Sequence, residues 1–302
     1  ATTGLCWQPR PQDRTAVARQ ATLPVGSSSS VSSSATASLQ YTGQGLASSP
    51  KSTLSSTASL DAHLAMTTSA SEASASTDPR LLRRLQDLVT VGIKAVTHLR
   101  NHVHFILHSI HRRYPGLRLI VSDDEYVGVA REEWRRLTDL MNDFNVTYVQ
   151  LVPRVGLSAG RNALVEACRT KYLVLLDDDV FFTAATRLDV LLHVLETQPE
   201  VQLVAGSYTQ YNSSRGAAEV NDYSLIFRPA EKAGHWRTVR PPLPPVGECH
   251  QVHAAHNFFM ARTATLRRFP WHPKMSIFEH EHFFFQLYRG GQAVVACPHV
   301  SV

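Results

Sequence analysis

The chain has 302 residues, 43% hydrophobic and 18% charged, with a formal net charge of +5. Basic residues never run beyond pairs such as Arg112–Arg113, Arg135–Arg136 and Arg267–Arg268, so no nucleic-acid partner is expected. No apolar run approaches the ~18–20 residues of a membrane span, and Cys6, Cys168, Cys249 and Cys297 lack the C-x-x-C pairing of a structural zinc site.

Residues 1–79 are rich in Ser, Thr and Ala, with SSSSVSSSATAS at 27–38 and few aromatics. Such a segment cannot bury enough apolar surface to offset chain entropy, so it is expected to be a disordered stem or linker. A single domain is expected over 80–302. LVTVGIKAV (88–96) reads as an apolar, β-branched strand. Val103, Ile106, Leu107 and Ile110 then recur at i, i+3, i+4 and i+7, one face of a helix that Tyr114-Pro-Gly ends. LRLIVSDDE (117–125) and VTYVQLV (146–152) read as the next strands, and Ser158 as the cap of a helix running to about Cys168. YLVLLD (172–177) is the central strand, Leu188, Leu191, Leu192 and Leu195 mark another helix, and VQLVAGSYT (201–209) is a further strand. This alternation predicts an α/β domain on a mostly parallel sheet.

Ligands bind such sheets at the carboxyl ends of the strands, and both acidic clusters, Asp123–Asp124 and Asp177–Asp178–Asp179, fall there. Because an extended chain alternates its side chains, Asp177 and Asp179 point alike and Asp178 points away. Two convergent carboxylates suit Mg²⁺ or Mn²⁺, with Asp179 the leading candidate for direct contact; acids capping the following helix are the alternative. Asp123 and Asp124 are candidates to bind a nucleotide base or ribose, or are merely polar loop residues. Gly160-Arg161-Asn162 would offer free backbone N–H groups and a guanidinium to phosphates, or simply an exposed Arg. In EHEHFFFQL (279–287), Glu279, His280, Glu281 and His282 form the densest titratable group. His280 and His282, at i and i+2, lack the helical spacing of a zinc protease, so a carboxylate there is a candidate general base, with Glu279 also suited to a helix's first turn. His253, His256 and His272 read as isolated structural histidines.

Residues 88–302 carry AGRN, TKY, DDD, F-T-A-x-T-R-L and NFF-x-AR together. That joint pattern resembles the GT-A glycosyltransferases, in particular the β-1,4-N-acetylgalactosaminyltransferases that make ganglioside GM2/GD2 and related glycans. The resemblance implies a Rossmann-like mixed sheet with helices on both faces and an inverting, metal-dependent transfer. The donor would be a UDP-sugar, by default UDP-GalNAc with UDP-GlcNAc or UDP-Gal as alternatives, and the acceptor a glycolipid or glycoprotein glycan. It implies Asp177 and Asp179 as the Mn²⁺ or Mg²⁺ site, with Asp123, Asp124, Arg161, Asn162, Asp177 and Asp178 on the donor and Asn257 on the acceptor side. Relatives carry His-x-Glu before the Phe pair. Here His280 matches but His282 takes the Glu position, which leaves Glu281 as the leading base and Glu279 and His282 as alternatives. Relatives also supply a metal-binding His just past Val302; His299 falls too early to replace it. A nucleotidyltransferase or a non-catalytic glycan binder on this fold are the other readings.

The chain opens on Ala1 and stops within the strand-like VVACPHVSV, as a fragment would. Stem and family together imply a lumenal Golgi enzyme whose membrane anchor lies outside this chain. Cys249 and Cys297 could pair in an oxidising compartment, and Asn145-Val-Thr and Asn212-Ser-Ser are glycosylation sequons.

Overall fold

The computed structural model describes residues 78–302 apart from 96–99, 125–130, 213–216, 232–234 and 276–277. The expected disordered stem therefore lies outside the described residues except for its last two, as does most of the second sequon. Asn145 of the first sequon is exposed, in the turn before a strand.

The domain opens with α1 (Pro79–Leu88), capped by Asp78, whose side chain accepts from the Arg80 N–H at 2.9 Å. It continues through β1 (Val89–Ala95), α2 (Arg100–Arg113), β2 (Arg118–Asp123), α3 (Arg131–Asp143), β3 (Val146–Gln150), α4 (Gly156–Ala167), β4 (Tyr172–Asp177), α5 (Leu188–Thr197) and β5 (Val201–Asn212). Then follow β6 (Ala217–Asn221), β7 (Ile226–Pro229), β8 (Trp236–Val239), β9 (His250–Val252), β10 (Phe259–Arg262), α6 (Thr263–Arg268), α7 (Glu279–Arg289) and β11 (Ala293–Ser301). The strands and helices expected from 88 to 209 are present. The sequence reading passed over α1 and α3. In α3, Trp134, Leu137 and Met141 recur at i, i+3 and i+7 among charges, a helical stripe too sparse to stand out.

The main sheet runs β3-β2-β1-β4-β10-β5-β11-β9, with β6 added on β5 and a separate β7–β8 hairpin. β3, β2, β1 and β4 are mutually parallel, whereas β10 lies antiparallel between β4 and β5. Both faces are covered, as expected of strands that are apolar throughout. Along β4, Val174 and Leu176 pack in the core beneath α2 and α5, with Ile106 and Leu191. Leu173 and Leu175 turn to the other core, with Leu164 of α4 and Phe283 and Leu287 of α7. In the antiparallel β9–β11 pair, Val294 lies opposite Val252 and Ala296 opposite His250, which brings Cys249 next to Cys297. The two form a disulfide, as the sequence allowed.

The chain steps outward from β1 to β2 to β3, then returns to place β4 on the other flank of β1. This reversal opens a crevice at the carboxyl ends of β1 and β4, where an open α/β sheet holds its ligand.

Candidate active site

Register builds the crevice. Lys94 pairs with Asp177 across β1–β4, and Ala95 with Asp123 across β1–β2, so both acidic clusters share one sheet edge. Asp177 ends β4 and is half-buried, whereas Asp178 and Asp179 lie in the turn that follows, the first buried and the second exposed, so the alternation expected of an extended chain does not reach them.

Arg161 on α4 organises the centre. It is 2% exposed, and its guanidinium donates to Asp177 Oδ1 and to Glu279 Oε1, each at 3.0 Å. One planar fork thus ties the end of β4 to the first turn of α7. The expectation of free N–H groups at 160–162 is corrected: α4 begins at Gly156, so these residues lie within the helix and their N–H groups belong to its ladder. Arg161 is likewise an interior ion-pair partner, not an exposed cation. Asn162 faces Trp271 instead of a phosphate. Its Nδ2 donates to the Trp271 carbonyl at 2.8 Å, and its Oδ1 accepts from the Trp271 N–H at 2.9 Å. Ser158 is no cap either; it lies inside α4 and donates to the Met275 carbonyl at 2.9 Å.

The cap comes from Asp124. Its Oδ2 accepts the Gly156 N–H at 2.8 Å, and its Oδ1 accepts from Lys94 Nζ at 2.5 Å. Burial pushes the Asp124 carboxyl up, but the hydrogen bonds from Lys94 and Gly156 outweigh it and hold it below the usual carboxylate range. Lys94, buried in an otherwise apolar strand, also donates to the Ala95 carbonyl. It crosses α4 at Gly160, where a Cβ would come within 2.1 Å of the Lys94 Cδ, so only glycine leaves room. The lysine was legible only as a lone charge in LVTVGIKAV and was not singled out. Asp123 is buried beside it and accepts from the Tyr148 hydroxyl at 2.8 Å.

On the other side of Asp177, Oδ2 accepts from Asn257 Nδ2 at 3.0 Å. Asn257 Oδ1 lies 2.7 Å from His280 Nδ1, and His280 Nε2 lies 2.6 Å from the Ala255 carbonyl. Burial and the Arg161 guanidinium push His280 down from its ordinary value. The four titratable residues of α7 therefore diverge, as a step of ~100° per residue dictates. Glu279 turns inward to Arg161 and His280 to Asn257. Glu281 accepts the Tyr223 hydroxyl at 2.9 Å, and His282 Nδ1 lies 3.0 Å from Gln286 Nε2.

Between Asp177 and Glu281 runs an aromatic tract that the sequence did not reveal. His256 stacks on Tyr208 with ring centroids 4.2 Å apart; Tyr223 lies 5.4 Å from His256 and 5.8 Å from His280. His256, expected to be isolated, is part of this tract and donates to the Asn221 carbonyl. Burial lowers it to about 4. Burial and the Glu281 carboxylate raise Tyr223 to about 12, and burial with the charges of Asp177 and Asp179 raises Tyr208 further.

Among the described residues no three His, Cys, Asp or Glu side chains converge as a complete protein cage for a metal. Asp177 and Asp179 do supply two hard oxygen donors at a partly open edge. That set fits Mg²⁺ or Mn²⁺, which keep waters and take phosphate oxygens for the remaining positions.

An open α/β sheet with acids at its switch point marks a ligand-binding α/β domain, and comparison with known proteins gives its family. Residues 97–262 match the profile of glycosyl transferase family 2. Over 230 residues the chain is 30% identical to mouse beta-1,4 N-acetylgalactosaminyltransferase 2, covering 74% of this chain and 41% of that protein. It is also 30% identical over 236 residues to human beta-1,4 N-acetylgalactosaminyltransferase 1, covering 71% and 38%. The chain thus spans about two-fifths of the length of the curated relatives it matches. GalNAc-T7, crystallised with UDP, GalNAc and Mn²⁺, shares the fold with a TM-score of 0.53 at 16% identity, over 71% of this chain and 42% of that one. The chain belongs to glycosyl transferase family 2 and has the GT-A fold.

Proposed function

We propose that this chain carries the catalytic domain of an inverting glycosyltransferase that moves N-acetylgalactosamine from a UDP-sugar to a hydroxyl of a glycolipid or glycoprotein glycan. The observation that carries the reading is the Asp177–Asp179 pair at the carboxyl end of β4, with Asp177 braced by Arg161 and Asn257. The choice of sugar draws on the N-acetylgalactosaminyltransferase relatives and on a GT-A neighbour crystallised with UDP, GalNAc and Mn²⁺.

Asp177 and Asp179 would hold Mn²⁺ or Mg²⁺, which supplies positive charge against a leaving diphosphate. Asp123, with Tyr148 behind it, stands at the same edge for the uridine. In the transfer, the acceptor oxygen bonds to the anomeric carbon from the face opposite the diphosphate. The bond from that carbon to the β-phosphate oxygen breaks with its electron pair leaving on UDP, and the acceptor proton passes to a carboxylate. Glu281 is our choice for that base. Glu279 is committed to Arg161 in the interior, whereas Glu281 is half-buried and, among the described residues, meets a tyrosine hydroxyl. The Cys249–Cys297 disulfide favours an oxidising compartment, in keeping with a lumenal Golgi setting.

UDP release from UDP-GalNAc, UDP-GlcNAc and UDP-Gal, with Mn²⁺ or with a chelator, tests the reading. Metal-dependent turnover of UDP-GalNAc, lost in Asp179→Asn and in Glu281→Gln, is the expected result. Turnover of a different UDP-sugar would replace the donor. No turnover and no thermal shift with any of them would overturn the enzyme reading in favour of a glycan binder.

A further inference from the structure

Behind Glu281, α7 and the β7–β8 hairpin enclose an apolar groove of about 280 Å³. Phe227, Phe285, Trp236 of β8 and Phe278 supply its aromatic lining. Trp236 and Phe278 are 37% and 70% exposed, although each could bury a large apolar surface. Phe278 is also strained. As the residue preceding α7 it sits at φ 60°, ψ 18°, the left-handed region that a bulky side chain rarely enters. Such strain persists where surrounding structure imposes it and gathers at ligand clamps. Here it accompanies a phenyl ring left open to solvent at the edge of the groove.

The groove's polar members are Arg237, Thr238, Glu281 and His282, of which Glu281 and Arg237 carry full charges. Glu281 belongs at once to the groove and to the aromatic tract, because its carboxylate accepts the Tyr223 hydroxyl and the Tyr223 ring lies 5.8 Å from His280. His280 in turn meets Asn257, which holds Asp177. Through these side chains the groove wall is linked to the candidate centre.

We propose that this groove is the acceptor subsite, where one sugar ring lays its C–H face on Trp236 and Phe278 and turns its hydroxyl edge to Glu281 and Arg237. The proposal rests on the glycosyltransferase reading and assigns it the residues that choose the acceptor. A pyranose has the two-sided character the groove asks for, an apolar face and a rim of hydroxyls. At about 280 Å³ the groove falls just below the ~300 Å³ at which small-molecule sites begin, room for a ring but not for a long acyl chain. Because Glu281 lines the same wall, a hydroxyl of the bound ring comes to the carboxylate proposed to take its proton.

The test uses the whole chain with methyl β-glycosides of galactose, glucose and N-acetylglucosamine as acceptors. Phe278→Ala, at an exposed position, and Trp236→Ala should each raise the acceptor KM about tenfold while leaving the donor KM in place. Trp236→Phe should recover part of the loss. A second readout needs no turnover: a bound glycoside should alter the Trp236 fluorescence, and that change should vanish in Trp236→Phe. A protein that shows this signal but transfers no sugar would keep the groove as a sugar site and refute the transferase. Unchanged acceptor KM in both alanine variants, absence of the fluorescence response, or a response confined to lipid-linked glycosides would each overturn the subsite.

Discussion

The Nδ1 of His280 lies 2.7 Å from the Oδ1 of Asn257, and the orientation of that amide is fixed by Asp177 on its other end. An ionised Asp177 only accepts, so Asn257 must turn its NH₂ toward it and its oxygen toward His280. His280 must then carry a proton on Nδ1, while its Nε2 faces another acceptor, the Ala255 carbonyl, at 2.6 Å. Burial and Arg161 work against a cationic ring there and prevail over the Glu281 charge, the Ala255 carbonyl and the Asp177 charge, which work for it. The protonation of His280 is thereby tied to the charge on a candidate metal ligand two side chains away.

Asn257 should therefore act as a positioning residue for Asp177. Asn257→Asp sets a second carboxylate against the first, and the two will share a proton. We expect the Mn²⁺ concentration needed for half-maximal transfer to rise by about 10–100-fold, the range found when partners of metal ligands are altered. A metal titration of activity reads this directly. An unchanged Mn²⁺ requirement would refute the role.

Arg161 should dominate the stability of the centre. Its removal strands Asp177 and Glu279 beside each other without a counter-charge, a loss of about 3–5 kcal/mol for a buried pair. Arg161→Met should show this in urea unfolding. Arg161→Lys should recover little, since a single ammonium cannot reach both carboxylates as the guanidinium fork does.

The Lys94–Asp124 pair can be weighed by a double-mutant cycle. Lys94→Met leaves Asp124 buried without its cation, and Asp124→Asn leaves the ammonium without its anion; each should cost roughly 3–5 kcal/mol. The double substitution should cost clearly less than the sum, because neither charge is then left alone. Additive losses would mean that the salt bridge, with side chains 1% and 6% exposed, is energetically independent of its partners.

Acid should destabilise the domain earlier than its carboxylates require. His256 is lowered to about 4, and burial also lowers His250, His253, His280 and His282. An unfolded chain binds these protons near pH 6.5 while the folded one resists, so stability falls as pH drops from ~6.5 toward about 4. Asp124 behaves differently: its lowered carboxyl keeps its contribution above ~3.9 and loses it only in stronger acid. Melting temperatures measured in a chelator from pH 7.5 to 4.5 should decline steadily; a flat profile would contradict these environments.

What the sequence disclosed was local. YLVLLDDD and LRLIVSDD announce strands that end in acids, and their apolar runs were enough to place both clusters at one sheet edge. EHEH stood out as a titratable group on a helix, but its four directions depend on where α7 starts, and that start is a left-handed Phe278 that no propensity forecasts. Partnerships across long separations stayed hidden. Glu279 is 118 residues from Arg161, and Trp271 is 109 from Asn162, so an arginine and an asparagine that looked ready for phosphate proved to be internal ties. The antiparallel insertion of β10 was equally illegible, since the four residues FMAR carry no sign of strand direction.

The disulfide has a bearing on how the two sides of the centre come apart. Cys249 and Cys297 are 48 residues apart, and the segment between them contains Asn257, Trp271, Phe278 and all of α7. Closing a loop of that length removes about 4 kcal/mol worth of freedom from the unfolded chain. Asp123, Asp177 and Asp179 lie outside the loop, although β4 pairs with β10 and Asp177 accepts from Asn257, both inside it. Reduction would thus slacken α7 and β10 first and reach Asp177 through Asn257 and the Arg161–Glu279 tie, whereas Asp123, set among β1, β2 and β3, would keep its place, so sensitivity to thiols would be graded across the candidate centre.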